Sequence, residues 1–234
     1  MVLCIVAMVA AAGMSHSVST PTQAAKPDLI AIDVLLEPDD TMLQEAAKWN
    51  AVMRQQSPEG FKLDEQHRPH VTLVQRFVAA NDLDAVLAAV AGVQAQFAPN
   101  TLLMKTKGFY HLPAGKIGVA GIVVEPSTDL LALQEKVIEA VTPFSRTGGS
   151  QSAFVPDATG TPFDPQLFKY VDSFVPARSG GNYNPHVTIG IAPIAWLRNF
   201  EKQPFQDFTF HAKGIEVYQL GNFGTASKRL GTNK

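Results

Sequence analysis

The sequence predicts an α+β fold built from two similar lobes packed as one unit. Three observations predict it. Apolar runs of strand length alternate with stretches whose apolar residues recur at helical spacing, and two of the strands read as a hairpin. No Pro-rich linker interrupts the chain after its first 25 residues. A tetrapeptide, Pro-His-Val-Thr, followed each time by an aliphatic residue, occurs once in each half, at Pro69–Leu73 and Pro185–Ile189. Mixed strands and helices with hairpins argue for α+β over a fully parallel sheet.

Leu29–Leu36 (LIAIDVLL) reads as a buried strand. Pro38 and Asp39-Asp40 signal a helix start, and Met42, Ala46, Trp49 and Met53 supply one apolar face. Ser57-Pro58-Glu59-Gly60 ends that helix, and His70–Phe77 is the next strand. Asn81 is expected to cap a second helix that buries Leu83, Val86, Leu87, Val90 and Phe97, broken by Pro99-Asn100. Leu102–Tyr110 and Lys116–Val124 form the hairpin, joined by Leu-Pro-Ala-Gly. Ser127 or Thr128 caps a third helix with Leu130, Leu133, Val137 and Val141 as its stripe, and Pro143 stops it. Ser145–Tyr183 reads as a long irregular stretch with a helix over Asp164–Phe174 and glycine pairs at 148–149 and 180–181 as hinges. Val187–Ile191 is a strand, Pro193–Phe200 a short helix, and Phe208–Ala212 and Ile215–Leu220 two closing strands.

The first 25 residues differ from the rest. Val2–Gly13 is apolar and uncharged, Met14–Ala25 is small and polar, and Lys26 is the first charged side chain. Residues 1–25 therefore read as a signal peptide cut near Thr22-Gln23-Ala24, with residues 26–234 as one exported domain, periplasmic or secreted. The alternative is an N-terminal membrane tether, for which the run is short as a spanning helix. Cys4, the only cysteine, falls inside this segment. The remaining chain then has no disulfide, no thiol nucleophile and no zinc-thiolate site. Of 234 residues, 46% are hydrophobic and 17% charged, which is globular composition. A net charge of −2 gives no electrostatic reason to hold DNA or other long nucleic acid. A monomer is expected, with no stable membrane association once the signal is removed.

Side chains alternate along a strand, so His70 and Thr72 share one face while Val71 and Leu73 point into the core. His186 and Thr188, with Val187 and Ile189, repeat the pattern. Proline before each histidine suits the first position of a strand. If the lobes pair about a pseudo-twofold axis, two imidazoles and two hydroxyls converge. The imidazoles supply an acid and a base that work near neutral pH, and the hydroxyls donate to oxygens between them. That arrangement suits a phosphate ester under in-line attack and needs no metal or other cofactor. A lone His-x-Thr says almost nothing; the matched pair is the signal.

The two motifs, His70-Val71-Thr72-Leu73 and His186-Val187-Thr188-Ile189, resemble the mark of the two-histidine (2H) phosphoesterase superfamily. That superfamily includes the LigT-like, 2′-5′ RNA ligase-type cyclic phosphodiesterases. The resemblance implies two antiparallel sheets with helices outside and a cleft between the lobes. It implies His70 and His186 as the acid–base pair and Thr72 and Thr188 as the phosphate-binding pair, without saying which histidine is the acid. It further implies hydrolysis of a 2′,3′-cyclic phosphate on a nucleotide or RNA end to the 2′-phosphate. Alternatives are a binding protein that holds phosphate esters without turnover, and 2′-5′ RNA ligation.

Other residues are weaker candidates. Arg76 shares even spacing with His70 and Thr72, so it reads equally as an edge of the same cleft or as an exposed charge at the strand end. Tyr110, His111 and Tyr183 are read as further substrate contacts or as packing residues, and Lys169 and Arg178 as loop cations within reach of phosphate or as solvated charges. Residues 145–183 as a whole read equally well as a lid or base-stacking wall and as a surface insertion packing its own aromatics. His67 and His70 form a His-x-x-His that Pro69 keeps off a helix, so no metal site is expected. Gly221–Lys228 (GNFGTASK) lacks the spacing of a phosphate loop.

Overall fold

The structure, a computed structural model, describes residues 28–156 and 160–231. The signal or tether reading of residues 1–25 lies outside the described residues. Within them, no helix is long and apolar enough to cross a membrane.

The chain runs through β1 (Leu29–Pro38), α1 (Asp40–Gln56), β2 (Val71–Ala79), α2 (Leu83–Phe97), β3 (Leu103–Ala114) and β4 (Ile117–Val124). It continues with α3 (Thr128–Val141), β5 (Ser145–Arg146), α4 (Pro165–Asp172), α5 (Phe174–Arg178), β6 (His186–Pro193), α6 (Ile194–Phe200), β7 (Thr209–Leu220) and β8 (Ala226–Gly231). Local chemistry explains the boundaries. Asp39 accepts from the N–H groups of Thr41 and Met42 at the start of α1 (3.1 and 3.4 Å), and Ser127 does the same for Leu130 at α3 (3.2 Å). Asp164 caps α4, with Pro165 preset for its first turn. In the β3–β4 turn, Gly115 takes φ +68°, which only glycine adopts without strain.

The strands form two antiparallel sections, β2-β1-β7-β8 and β6-β4-β3. One ladder pair, Val71 with Val187, joins β2 to β6, and a short ladder over Leu103–Lys105 joins β3 to β7. The pairing scheme maps onto itself when β1, β2 and β7 are exchanged with β4, β6 and β3. Both histidine strands carry a bulge at the same place. Against β1 the register steps past Leu73, and against β4 it steps past Ile189. The core lies between sheets and helices, with Val71, Leu73, Val187 and Ile189 all fully buried.

Several sequence expectations change. Asn81 does not cap α2; it lies in a 3-10 turn over Ala80–Asp82, and the helix starts at Leu83. The two closing strands are one continuous strand, β7, and β8 follows it along the sheet edge. Ser145–Tyr183 is less irregular than expected. Besides α4 it holds β5 and α5, and its Phe154 and Phe163 pack with Phe77 and Val171 in a second small core. Gly149 packs closely there: a Cβ would lie 2.3–2.6 Å from the ring of Phe77.

Candidate active site

The single pair joining β2 to β6 falls on the motifs. Val71 opposite Val187 places His70 across from Thr188 and Thr72 across from His186. The valines point into the core, so the four polar side chains share the other face. The histidines occupy one diagonal and the threonines the other. Beyond this pair the two strands have no further ladder, which opens the cleft.

Each ring is held the same way. His70 Nδ1 lies 2.6 Å from the carbonyl of Arg68, and His186 Nδ1 lies 2.8 Å from the carbonyl of Asn184. A carbonyl only accepts, so both Nδ1 atoms carry a hydrogen and the chemistry falls to Nε2.

The bulges create a second symmetric device. A bulged residue's carbonyl has no ladder partner, and when buried it needs one. Asn50, on α1, donates to the carbonyls of Ile189 (3.0 Å) and Phe61 (3.1 Å) and accepts from the N–H of Leu63 (3.1 Å). Gln134, on α3, donates to the carbonyls of Leu73 and Arg178 (both 3.1 Å) and accepts from the N–H of Gly180 (3.3 Å). Each amide thus ties one histidine strand to the loop that leads into the other.

Other contacts differ between the halves. Thr72 donates its hydroxyl hydrogen to Asp33 Oδ2 at 2.9 Å, and Gln75 Nε2 donates to the same atom at 2.9 Å. His70 Nε2 lies 3.4 Å from it. Thr188's hydroxyl and His186 Nε2 make no hydrogen bond among the described residues. Thr188 and His70 line one pocket together with Phe61, His67, Arg68, Val119 and Phe223–Thr225.

Two expected contacts reach the site. Tyr110's ring lies 4.6 Å from that of His186, and burial pushes its phenol pKa up. Gly121, its partner on β4, makes room for it: a Cβ there would sit 2.6 Å from the Tyr110 ring. Tyr183 is a strut, buried, donating its hydroxyl to the carbonyl of Thr72 at 2.7 Å. Arg178, a weaker candidate, also arrives. Its guanidinium stacks 4.0 Å from the ring centre of Tyr170, and its charge is felt at His186.

Two expected contacts go elsewhere. The bulge shifts the alternation of β2, so Gln75 rather than Val74 joins Thr72 on Asp33's side, and Arg76 turns the other way. Its charged neighbour is Asp172 of α4. His111, one residue past Tyr110, turns to Glu201, with 2.6 Å between Nδ1 and Oε2. His67, of the His-x-x-His, pairs with Asp64 at 3.1 Å and stacks on Phe61.

Sequence reasoning passed over five residues of the site, Asp33, Asn50, Gln75, Gln134 and Tyr170. Asp33 left a signal, being the one charged residue inside the apolar run LIAIDVLL. Asn50 left a fainter one, a polar residue on the buried stripe of α1. Tyr170 had none beyond its place in the aromatic-rich segment.

The model of the 2′-5′ RNA ligase superfamily matches residues 44–221. Among solved structures the chain is similar to TT0787 of Thermus thermophilus. Identity is 12%, the match covers 86% of this chain and 96% of that one, and the TM-score is 0.51. It is also similar to Usb1 of Kluyveromyces marxianus, at 11% identity, 88% and 99% coverage and a TM-score of 0.44. No curated protein matches it in sequence. At such identity the likeness to TT0787 shows the fold.

Proposed function

The chain belongs to the 2′-5′ RNA ligase superfamily, whose members are two-histidine phosphoesterases, and on that premise we propose a metal-independent phosphodiesterase. Its substrate on this reading is the 2′,3′-cyclic phosphate of a nucleotide or RNA end.

The observation that supports the reading is the diagonal arrangement of His70 and His186, each with Nδ1 tied to the backbone and Nε2 left for chemistry. In-line displacement at phosphorus needs a base beside the attacking water and an acid beside the leaving oxygen, on opposite sides of the phosphate. Strand spacing sets the two histidines roughly 7–8 Å apart across the diagonal, room enough for a phosphate between the rings. Thr188, facing the pocket, donates to a non-bridging oxygen; Arg178, near His186, adds positive charge for the anion. Thr72 joins them only if its hydrogen turns from Asp33 to the phosphate.

The same two histidines serve the reverse, joining reaction, but water at its ordinary concentration favours hydrolysis. The export reading of residues 1–25 belongs to the proposal as well. Sequencing the N-terminus of the protein recovered outside the cytoplasm tests it.

The function itself is tested by ³¹P NMR. Protein starting at Lys26 is mixed with 2′,3′-cyclic AMP and EDTA, beside the His70→Ala/His186→Ala double variant. A monoester formed by the unmodified protein alone supports the reading, and its chemical shift tells 2′- from 3′-phosphate. Equal signals from both proteins, or turnover stopped by EDTA and restored by a metal ion, contradict it.

A further inference from the structure

We infer that Asp33 makes the two halves of the site chemically unequal, as the positioning residue that keeps a proton on His70 Nε2 and leaves His186 to accept one. The inference rests on the reading of these histidines as an acid–base pair and says which is which.

The geometry carries it. Asp33 is completely buried in β1, and its Oδ2 faces three groups: His70 Nε2 at 3.4 Å, Thr72 Oγ1 at 2.9 Å and Gln75 Nε2 at 2.9 Å. The hydroxyl and the amide both donate, so Oδ2 carries no hydrogen, and the buried Oδ1 has no hydrogen-bond partner among the described residues. His70 Nδ1 already donates to the Arg68 carbonyl. A hydrogen on Nε2 as well makes the ring an imidazolium, the form a buried carboxylate needs beside it. At 3.4 Å the Nε2 contact is longer than a tight hydrogen bond. Its hydrogen therefore remains available to a leaving oxygen.

The other half lacks this carboxylate. The bulges align Leu35 of β1 with Gly121 of β4, each opposite its motif threonine, so Asp33 corresponds to Val119. His186 has its hydrogen on Nδ1, donated to Asn184, and an open lone pair on Nε2. The groups around it are Tyr110 from β3, Tyr170 from α4, Arg178 from α5 and His70 itself; Tyr183 turns its hydroxyl to the Thr72 carbonyl. Of the charges felt there, those of His70 and Arg178 oppose a proton on His186 and outweigh that of Asp33, which favours one. Beside His70, the Arg68 side chain is paired with Glu37 and His67 with Asp64.

The acidities agree. Burial works against charge on His70, but its close contact with the charge of Asp33, with the Arg68 carbonyl, outweighs it and raises its pKa. Burial dominates at His186, with the charges of His70 and Arg178 adding to it, and lowers its pKa to about 4.

The step then balances. A water oxygen bonds to phosphorus as its proton passes to His186 Nε2. The bond from phosphorus to the leaving ribose oxygen breaks, and that oxygen takes the proton from His70 Nε2. His186 ends charged and His70 neutral, and exchange with solvent restores both.

Nitrogen-15 NMR of the histidine rings reads this without substrate. Spectra of the labelled protein are recorded from pH 4 to 9, with His70→Gln and His186→Gln variants to assign the rings. At pH 6 the His70 ring should be doubly protonated and His186 neutral with its hydrogen on Nδ1. In Asp33→Asn the His70 titration should fall by about one pH unit, a tenfold change, and the alkaline limb of kcat/KM should fall with it. A neutral His70 at pH 6 overturns the inference from the unmodified protein alone, even if Asp33→Asn fails to fold. So does a charged His186, or a His70 titration indifferent to Asp33→Asn. Rings as expected in a protein without phosphodiesterase activity would instead count against the proposed function.

Discussion

Asn50 and Gln134 are counterparts about the pseudo-twofold: each sends its amide N–H to the carbonyl of the bulged residue in a histidine strand, Ile189 or Leu73. Each also bonds two backbone groups in the loop leading to the other motif. The repeat seen in the sequence is thus supported by a repeat the sequence hides, in which an asparagine and a glutamine do one job. A bulge needs a partner for its carbonyl, and a helix crossing from the other histidine's half supplies it.

Asn50→Leu and Gln134→Leu each leave three backbone groups without that partner, two of them tied to a catalytic loop. Each variant should lose about 1–3 kcal/mol of stability, read as a lower urea midpoint. Each should also lower kcat, because the histidines lose their setting. A variant that keeps full stability and kcat would remove the amides from the account.

The two threonines should part company. Thr72→Val loses a hydrogen bond to the buried Asp33 and should cost about 1–2 kcal/mol as well as activity. Thr188→Val breaks no hydrogen bond among the described residues, so stability should hold while kcat/KM falls roughly 10- to 100-fold. Denaturation curves beside steady-state kinetics on 2′,3′-cyclic AMP check both.

The two arginines separate in the same way. Arg178→Gln removes the cation near His186 and should raise KM for the anionic substrate about tenfold. Arg76→Gln, on the far side of β2, should leave kcat/KM within about twofold. The opposite ranking in steady-state kinetics would restore the even-spacing argument for Arg76.

That contrast shows where the sequence was legible and where it was not. Matched His-x-Thr pairs on apolar strands announced both the α+β architecture and the four polar groups of the cleft, because strand periodicity is local. Arg76 was misplaced because one bulged residue, Leu73, shifts every later side chain of β2, and no residue type marks a bulge. His111 was drawn in by its neighbour Tyr110, although adjacent residues of a strand face opposite ways. β8 was missed because ASKRLG, a half-exposed edge strand, lacks apolar alternation. Arg178 and Tyr170 come from a segment whose path depends on tertiary packing, notably of its phenylalanines onto Phe77.

Packing of that segment is itself testable. Gly149→Ala drives a methyl group into Phe77, so the ring must move or the segment must shift. A loss of about 1–3 kcal/mol is expected in urea denaturation, and Phe77→Leu should relieve part of it. Additive losses in the double variant would mean that the two residues do not meet.

The most direct test of acid–base catalysis by this histidine pair is the pH dependence of kcat/KM on 2′,3′-cyclic AMP between pH 3.5 and 9.5. His186 must be neutral to take a proton, so the rate should rise as pH climbs through its pKa of about 4. His70 must be charged to give one, so the rate should fall as pH climbs through a pKa raised above the ordinary histidine value. The account predicts a bell with a wide, mildly acidic plateau, whose alkaline limb moves down in Asp33→Asn. A profile still rising above pH 8, or one with its acidic limb near pH 6.5 and no alkaline limb, would contradict it.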